Sequence, residues 1–120
     1  MAEHRFPRWV YSRGSEPDPR FSLANERTFL AWIRTALALI AGGVALEALG
    51  LPIQPGLRLA ASMVSLALGA TVPLLAWVNW GTVELAMREQ RPLPASKVAL
   101  PVGAGVCVIA LLLLLGVALR

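Results

Sequence analysis

Three arginines spaced by seven, Arg20, Arg27 and Arg34, are the residues of this chain best placed to do chemistry. A step of seven returns a helix to nearly the same face, with a drift of about 20°. The three therefore form one stripe, about 21 Å long at the helical rise. A guanidinium presents several N–H donors in a fixed fork that matches phosphate or carboxylate oxygens, so the chemistry such a stripe offers is anion recognition. Ala24, Ala31, Ala38 and Ala45 interleave with the arginines, and the arginine line continues as Ala41 and Ala48. The face is thus small or basic along its length, whereas Leu30, Ile33, Leu37 and Ile40 fall largely elsewhere. Small residues admit a second helix or water at close range, and bulky aliphatics suit lipid.

The element that carries this stripe belongs in a membrane. The chain has 120 residues, 57% of them hydrophobic and only 15% charged, where a soluble domain is roughly half apolar and about a quarter charged. That length makes one domain, and the bilayer is its expected solvent. The net charge of +4 could suggest nucleic acid. However, eight of the eleven basic residues lie in two segments flanking apolar runs, without the aromatic and basic pattern of a nucleic-acid module. Cys107 is the single cysteine, which excludes an intrachain disulfide and a cysteine-based zinc site. It reads as a small packed hydrophobe, and neither metal nor other cofactor is expected. The first apolar run begins only at Phe29, too far along the chain for a cleavable signal peptide.

Three apolar runs, 29–49, 57–80 and 98–119, are each long enough to cross a hydrocarbon layer about 30 Å thick. The reading is an all-α integral membrane domain over residues 20–120, preceded by a tail, residues 1–19. Pro7, Gly14, Pro17 and Pro19 forbid a long helix in that tail, which is either flexible or held at the interface by Phe6, Trp9 and Tyr11 among Arg5, Arg8 and Arg13. Asp18 and Ser22 are both candidate N-caps of the first long helix, which ends at Gly50-Leu-Pro-Ile-Gln-Pro-Gly56. Pro73 is tolerable inside the second span, and Ser62, Ser65 and Gly69 give that span a small-residue packing seam. Residues 81–97 are polar, with a short amphipathic helix in the first half, ended by Pro92 and Pro94. Leu111–Leu115 meets lipid. Arg5, Arg8, Arg13, Arg20 and Arg27 lie before the first span and Arg88, Arg91 and Lys97 between the second and third, against Arg58 and Arg120 on the other side. Basic residues near span ends stay cytoplasmic, so the N-terminus is expected inside and the C-terminus outside.

Arg34 is the costly member of the stripe. It lies five residues inside the apolar start, where facing lipid costs up to about 2.5–3.5 kcal/mol. It can snorkel to the interface, line a water-filled cavity between protomers, or pair with Glu26 or Glu84. Three helices enclose no sizeable aqueous path, so the cavity requires a homo-oligomer in which the arginines stack as rings. Enzyme chemistry finds no support: His4 is the only histidine, and neither a site-like carboxylate pair nor a nucleophile motif is present.

The stretch Phe21-Ser-Leu-Ala-Asn-Glu-Arg-Thr-Phe-Leu-Ala-Trp-Ile-Arg-Thr-Ala-Leu-Ala-Leu-Ile-Ala-Gly-Gly43 closely resembles the signature of the bacterial YidH-like inner-membrane family, whose function is unknown. Trp80, Met87-Arg88 and Pro92-Leu-Pro94 resemble the same family's connection between second and third helices. The resemblance covers residues 17–119 and implies a multi-pass protein of the bacterial inner membrane. It marks Asn25, Glu26 and Trp32 as motif residues and Trp80 and Arg88 as candidates in the cytoplasmic loop, where Glu84, a charge of the same polar segment, is a further candidate. Asn25-Glu-Arg-Thr-Phe29 followed by Trp32 is also similar to the membrane domain of the eukaryotic vacuolar transporter chaperone, which makes polyphosphate and moves it across a membrane. That likeness implies an oligomer around a central pore lined by first helices, with Arg20 and Arg27 toward a phosphate or polyphosphate-like anion. Arg34 departs from its pattern, which has a neutral polar residue there. Polyphosphate synthesis is not implied, since no polymerase or phosphate-sensing segment accompanies the match. The reading is a homo-oligomer, such as a pentamer, forming an anion or polyanion conduit. The competing one is a non-conducting scaffold or accessory subunit that binds a partner helix or anionic lipid.

Overall fold

In a computed structural model, which describes residues 5–120, four helices are laid out in order: α1 (Arg8–Tyr11), α2 (Pro19–Ala48), α3 (Pro55–Arg88) and α4 (Ala99–Ala118). The tail residue His4 lies outside the described residues. Three of the helices, α2, α3 and α4, are long and apolar enough to cross a membrane. The N-cap of α2 is Asp18, whose side chain accepts the Arg20 backbone N–H at 2.9 Å, and Pro19 occupies the first turn, where its missing N–H costs nothing. Ser22, the other candidate cap, is one turn inside the helix and used elsewhere.

α2 and α3 form an antiparallel hairpin. The helix α2 stops at Gly50, whose φ of +58° is the left-handed conformation that follows many helix ends. The Gln54 side chain then caps α3 by accepting the Leu57 N–H at 2.7 Å. The small-residue seam of α3 meets α2: Ser62 donates to the Gly43 carbonyl and Ser65 to the Leu39 carbonyl, both at 2.6 Å. Such bonds satisfy hydroxyls that hydrocarbon would otherwise strand. Below them Ala36, Val72, Ala76 and Val98 form the buried core, with Phe29 and Trp32 packed against it.

α3 is the central helix. It packs against each of the other three, whereas α2 and α4 make no close backbone approach to one another. An apolar groove of about 450 Å³, lined by Thr35, Ala38 and Gly42 of α2 and Val106, Ile109 and Leu113 of α4, stays open between them. Most of the Leu111–Leu115 run is exposed, as a lipid-facing surface is in an isolated chain. Cys107 is exposed as well, on an uncovered face of α4. This corrects the expectation of a packed cysteine; the apolar run around it faces outward.

Two further differences from the sequence reading concern the basic end. The polar residues after Trp80 do not start a separate helix or a loop: α3 runs unbroken through Pro73 and on to Arg88. From Arg58 to Trp77 the helix rises about 29 Å, a hydrocarbon thickness, so its last three turns stand clear of the span. The N-terminal segment, in turn, is laid against that projecting end. Val10 is wholly buried, and Ser15 donates its N–H to the Arg88 carbonyl at 2.9 Å. Two glycines make the close approach feasible. A Cβ on Gly81 would stand 2.2 Å from the Trp9 ring, and one on Gly14 (φ +65°) 2.2 Å from the Arg88 carbonyl oxygen.

Candidate functional site

The motif residues of α2 divide between two opposite faces. Asn25, Ala36 and Gly43 are buried against α3, with Phe29 and Trp32 half-buried beside them. Arg34 follows Asn25 by nine residues, about half a turn around the helix at roughly 100° per residue. Arg20, Arg27 and Arg34 accordingly point away from α3, and all three are exposed, as are Ala24, Ala31, Ala38 and Ala41. The bonds from Ser62 to Gly43, Ser65 to Leu39 and Asn25 to Trp80 fix the antiparallel register. That register sets Arg34 level with Thr71, roughly 9 Å beyond Trp77 along α3.

The three arginines differ in what they hold. Arg20 grips Asp18, with Nη2 to Oδ2 at 2.8 Å and Nε to Oδ1 at 3.2 Å. These bonds, with the backbone N–H of Arg20, keep the Asp18 carboxyl below the usual carboxylate range. Among the described residues Arg27 and Arg34 have no carboxylate partner. Pairing of Arg34 with Glu26 or Glu84 within the chain is therefore ruled out by the geometry.

Glu84 serves a different purpose. It is buried with Asn25 between α2 and α3, and its carboxylate accepts the Ser22 hydroxyl at 2.6 Å and the Asn25 side-chain N–H at 3.3 Å. Asn25 also donates to the Trp80 carbonyl at 3.0 Å. Asn25 thus bolts the start of α2 to α3. Arg88, also buried, donates to the carbonyls of Arg13 at 2.8 Å and Tyr11 at 3.2 Å, pairs with Glu16 at 3.1 Å, and lies 5.2 Å from the Tyr11 ring centroid. Every buried side-chain nitrogen and oxygen among the described residues has a hydrogen-bond partner. Trp80, Glu84 and Arg88, candidates in the cytoplasmic connection, lie on one continuous α3 rather than at a span end and on a separate short helix, and they clamp the N-terminal segment and α2 to α3. Their polarity announced a solvent-facing connection, but the partners that bury them come from the far N-terminal part of the chain.

A family model described as a domain of unknown function (DUF202) matches residues 20–86. The chain belongs to that family. Relatives include the inner membrane protein YidH of Escherichia coli, 37% identical over 102 residues that cover 84% of this chain and 89% of YidH. An uncharacterized protein of Mycobacterium tuberculosis is 42% identical over 95 residues, 78% of each chain. No solved structure matches. With its three spans, this YidH-like DUF202 chain is a multi-pass protein of the bacterial inner membrane. The DUF202 match spans the α2–α3 hairpin, so it takes in the arginine stripe, Asn25, Glu26 and Glu84. It leaves out Tyr11, Arg88 and all of α4, the parts that clamp and flank the hairpin. Sequence reading missed Ser22 and Tyr11 as partners in this end of the DUF202 fold. The signal for Ser22 is its spacing of three from Asn25, which puts both on the face turned to α3.

Proposed function

We propose that this DUF202 protein forms a homo-oligomer, N-terminus inside, in which the basic face of α2 lines a conduit for anions or polyanions, a non-enzymatic role. The observation that carries the reading is Arg34: an arginine inside the span depth, without a carboxylate partner among the described residues, on a face left uncovered by α3 and α4. Facing lipid there is costly, and a wet lumen between copies removes the cost while putting the guanidinium to use. Ala24, Ala31 and Ala38 beside the arginines allow α2 helices of neighbouring copies to approach closely. The likeness of Asn25-Glu-Arg-Thr-Phe29 to the vacuolar transporter chaperone's membrane domain points the same way, toward phosphate or polyphosphate-like cargo.

Reconstitution in proteoliposomes tests the proposal. Anion flux is expected, falling at least tenfold in Arg34→Gln and further with Arg27→Gln. In a Cys107→Ala background, Ala31→Cys and Ala38→Cys are expected to crosslink between copies. A monomer whose α2 faces lipid refutes the oligomer. Intact oligomers without flux refute the conduit and favour the scaffold or accessory subunit.

A further inference from the structure

A second candidate site lies on a different side of α2 from the arginine stripe. Glu26 is exposed, and among the described residues its carboxylate has neither an ion pair nor a hydrogen bond. Every other described acidic side chain has at least one of the two. It opens into a pocket of about 250 Å³ whose remaining walls are all aromatic: Tyr11, Phe29, Trp77 and Trp80. Three helices build this pocket, so no local stretch of sequence displays it. The rings are tilted rather than stacked, with Trp77 and Trp80 centroids 6.1 Å apart at 43° and Tyr11 and Trp80 6.3 Å apart at 58°. The walls therefore present several π faces and edges around one space.

The chemistry of that lining is selective. Aromatic faces carry negative quadrupole potential and attract cations, above all weakly hydrated ones such as alkylammonium groups, and a carboxylate at the rim adds the counter-charge. Anions are repelled by both elements. Hard metal ions need a shell of several oxygen ligands, which one carboxylate and a phenol do not supply. The pocket is smaller than the roughly 300–1,000 Å³ typical of sites for drug-sized ligands, so a headgroup fits better than a whole metabolite. Within the same cluster the Tyr11 ring already serves cations, with the Arg5 guanidinium 4.3 Å and that of Arg88 5.2 Å from its centroid. Those two arginines share the single carboxylate of Glu16, which offsets one of their two charges, and neither lines the pocket. Trp77 and Trp80 mark the end of the apolar span, the depth at which lipid headgroups sit.

We propose that Glu26, with Tyr11, Phe29, Trp77 and Trp80, binds an organic ammonium group, carried either by a lipid headgroup or by a small soluble amine. Intrinsic tryptophan fluorescence reads the site directly, because two of its walls are indoles. The full chain in non-ionic detergent is titrated with choline and with its neutral isostere 3,3-dimethylbutan-1-ol. Saturable quenching or shift by choline, absent with the alcohol and weakened about tenfold in Glu26→Gln, is the expected result; tenfold corresponds to roughly 1.4 kcal/mol. Glu26 is exposed and makes no side-chain bond among the described residues, so this variant keeps the fold, which a monodisperse elution profile verifies. No saturable response, an equal response to the alcohol, or an unchanged affinity in Glu26→Gln overturns the proposal. Repeating the choline titration in nanodiscs identifies the source. The discs share one phosphatidylglycerol fraction, with the remainder either phosphatidylethanolamine or a neutral glycosyl diacylglycerol, so that surface charge is matched. Weaker apparent choline binding with the ethanolamine lipid assigns the site to a lipid amine, and equal binding assigns it to a soluble one. None of these readings depends on flux or on oligomer formation.

Discussion

Replacing Arg88 by alanine should release the N-terminal segment from the end of α3 while leaving the three spans intact. The guanidinium is 3% exposed and makes three bonds to that segment, to the carbonyls of Tyr11 and Arg13 and to Glu16. Hydrogen bonds to a charged donor contribute about 1.5–3 kcal/mol each. The Glu16 carboxylate is more than half exposed and is discounted accordingly. Undocking also rehydrates the two carbonyls, so the loss is capped by the docking free energy rather than by the sum of bonds. A net loss of about 3 kcal/mol corresponds to roughly a hundredfold in the open population. Amide exchange by mass spectrometry reads this at Tyr11, Ser12 and Ser15, whose N–H groups are bonded to Pro7, Arg8 and Arg88 carbonyls. About hundredfold faster exchange is expected there, with amides of α2 and α3 inside the span unchanged. Arg88→Lys should fall between, since an ammonium keeps the charge but not the fork that reaches two carbonyls and a carboxylate together. Exchange within about threefold of wild type in Arg88→Ala would show that Val10 and the aromatic contacts hold the segment without Arg88.

Gly81→Val places a side chain where the Trp9 ring now lies, and limited proteolysis should then cut between Arg5 and Arg13 while wild type resists. The Asp18 carboxyl is held low by Arg20 and gives a pH dependence of known sign. A depressed folded-state pKa contributes stability that is complete above the unfolded value, about 3.9, and is lost as pH falls through the folded value. Amide protection in the first turn of α2 should therefore stay constant from pH 8 to about 5 and drop only below about pH 4, whereas Asp18→Asn should flatten the profile. Ser62→Ala should weaken the hairpin by about 0.5–2 kcal/mol, because the hydroxyl is lost and the Gly43 carbonyl keeps its bond within the helix. Thermal unfolding in detergent measures it.

The spans were legible because each is an apolar run bounded by breakers, and the seam of Ser62, Ser65 and Gly69 because small residues at that spacing have one common use in a membrane. The end of α3 was not. Composition changes at Gly81, so the sequence reads as a span finishing at Trp80. Helix geometry does not change there, since no proline interrupts the backbone until Pro92. The clamp escaped for a related reason. Arg88 reaches Arg13, Glu16 and Tyr11 across 75, 72 and 77 residues of chain, and neither periodicity nor capping chemistry encodes so distant a pairing. Cys107 erred in the other direction: an apolar neighbourhood in a membrane protein implies lipid as readily as a core.

The way charge is distributed argues for where activity should be sought. Arg5, Arg13, Arg20, Arg58, Arg88 and Arg91 all have carboxylate partners, and the pairs of Arg13, Arg58 and Arg88 join separate segments at the ends of the bundle. Structural need thus accounts for most of the ionic side chains of this protein. Outside that accounting, among the described residues, are Arg8, Lys97 and Arg120 in the polar ends of the chain, and Glu26, Arg27 and Arg34. The last three lie within about a dozen ångströms of rise on α2, Glu26 and Arg27 level with the tryptophans and Arg34 deeper, where an unpaired charge is costly to keep. Among the described residues Glu26, Arg27 and Arg34 make no side-chain hydrogen bond or ion pair, so substituting any one should leave the helices assembled. Contacts among the described residues do not account for three such charges in one stretch of helix, and the proposed conduit and ammonium site each require a ligand or a neighbouring copy to supply the counter-charge. Activity, transport or binding assays on Glu26→Gln, Arg27→Gln and Arg34→Gln should therefore separate function from folding in a way that variants of Glu84 or Arg88 would not.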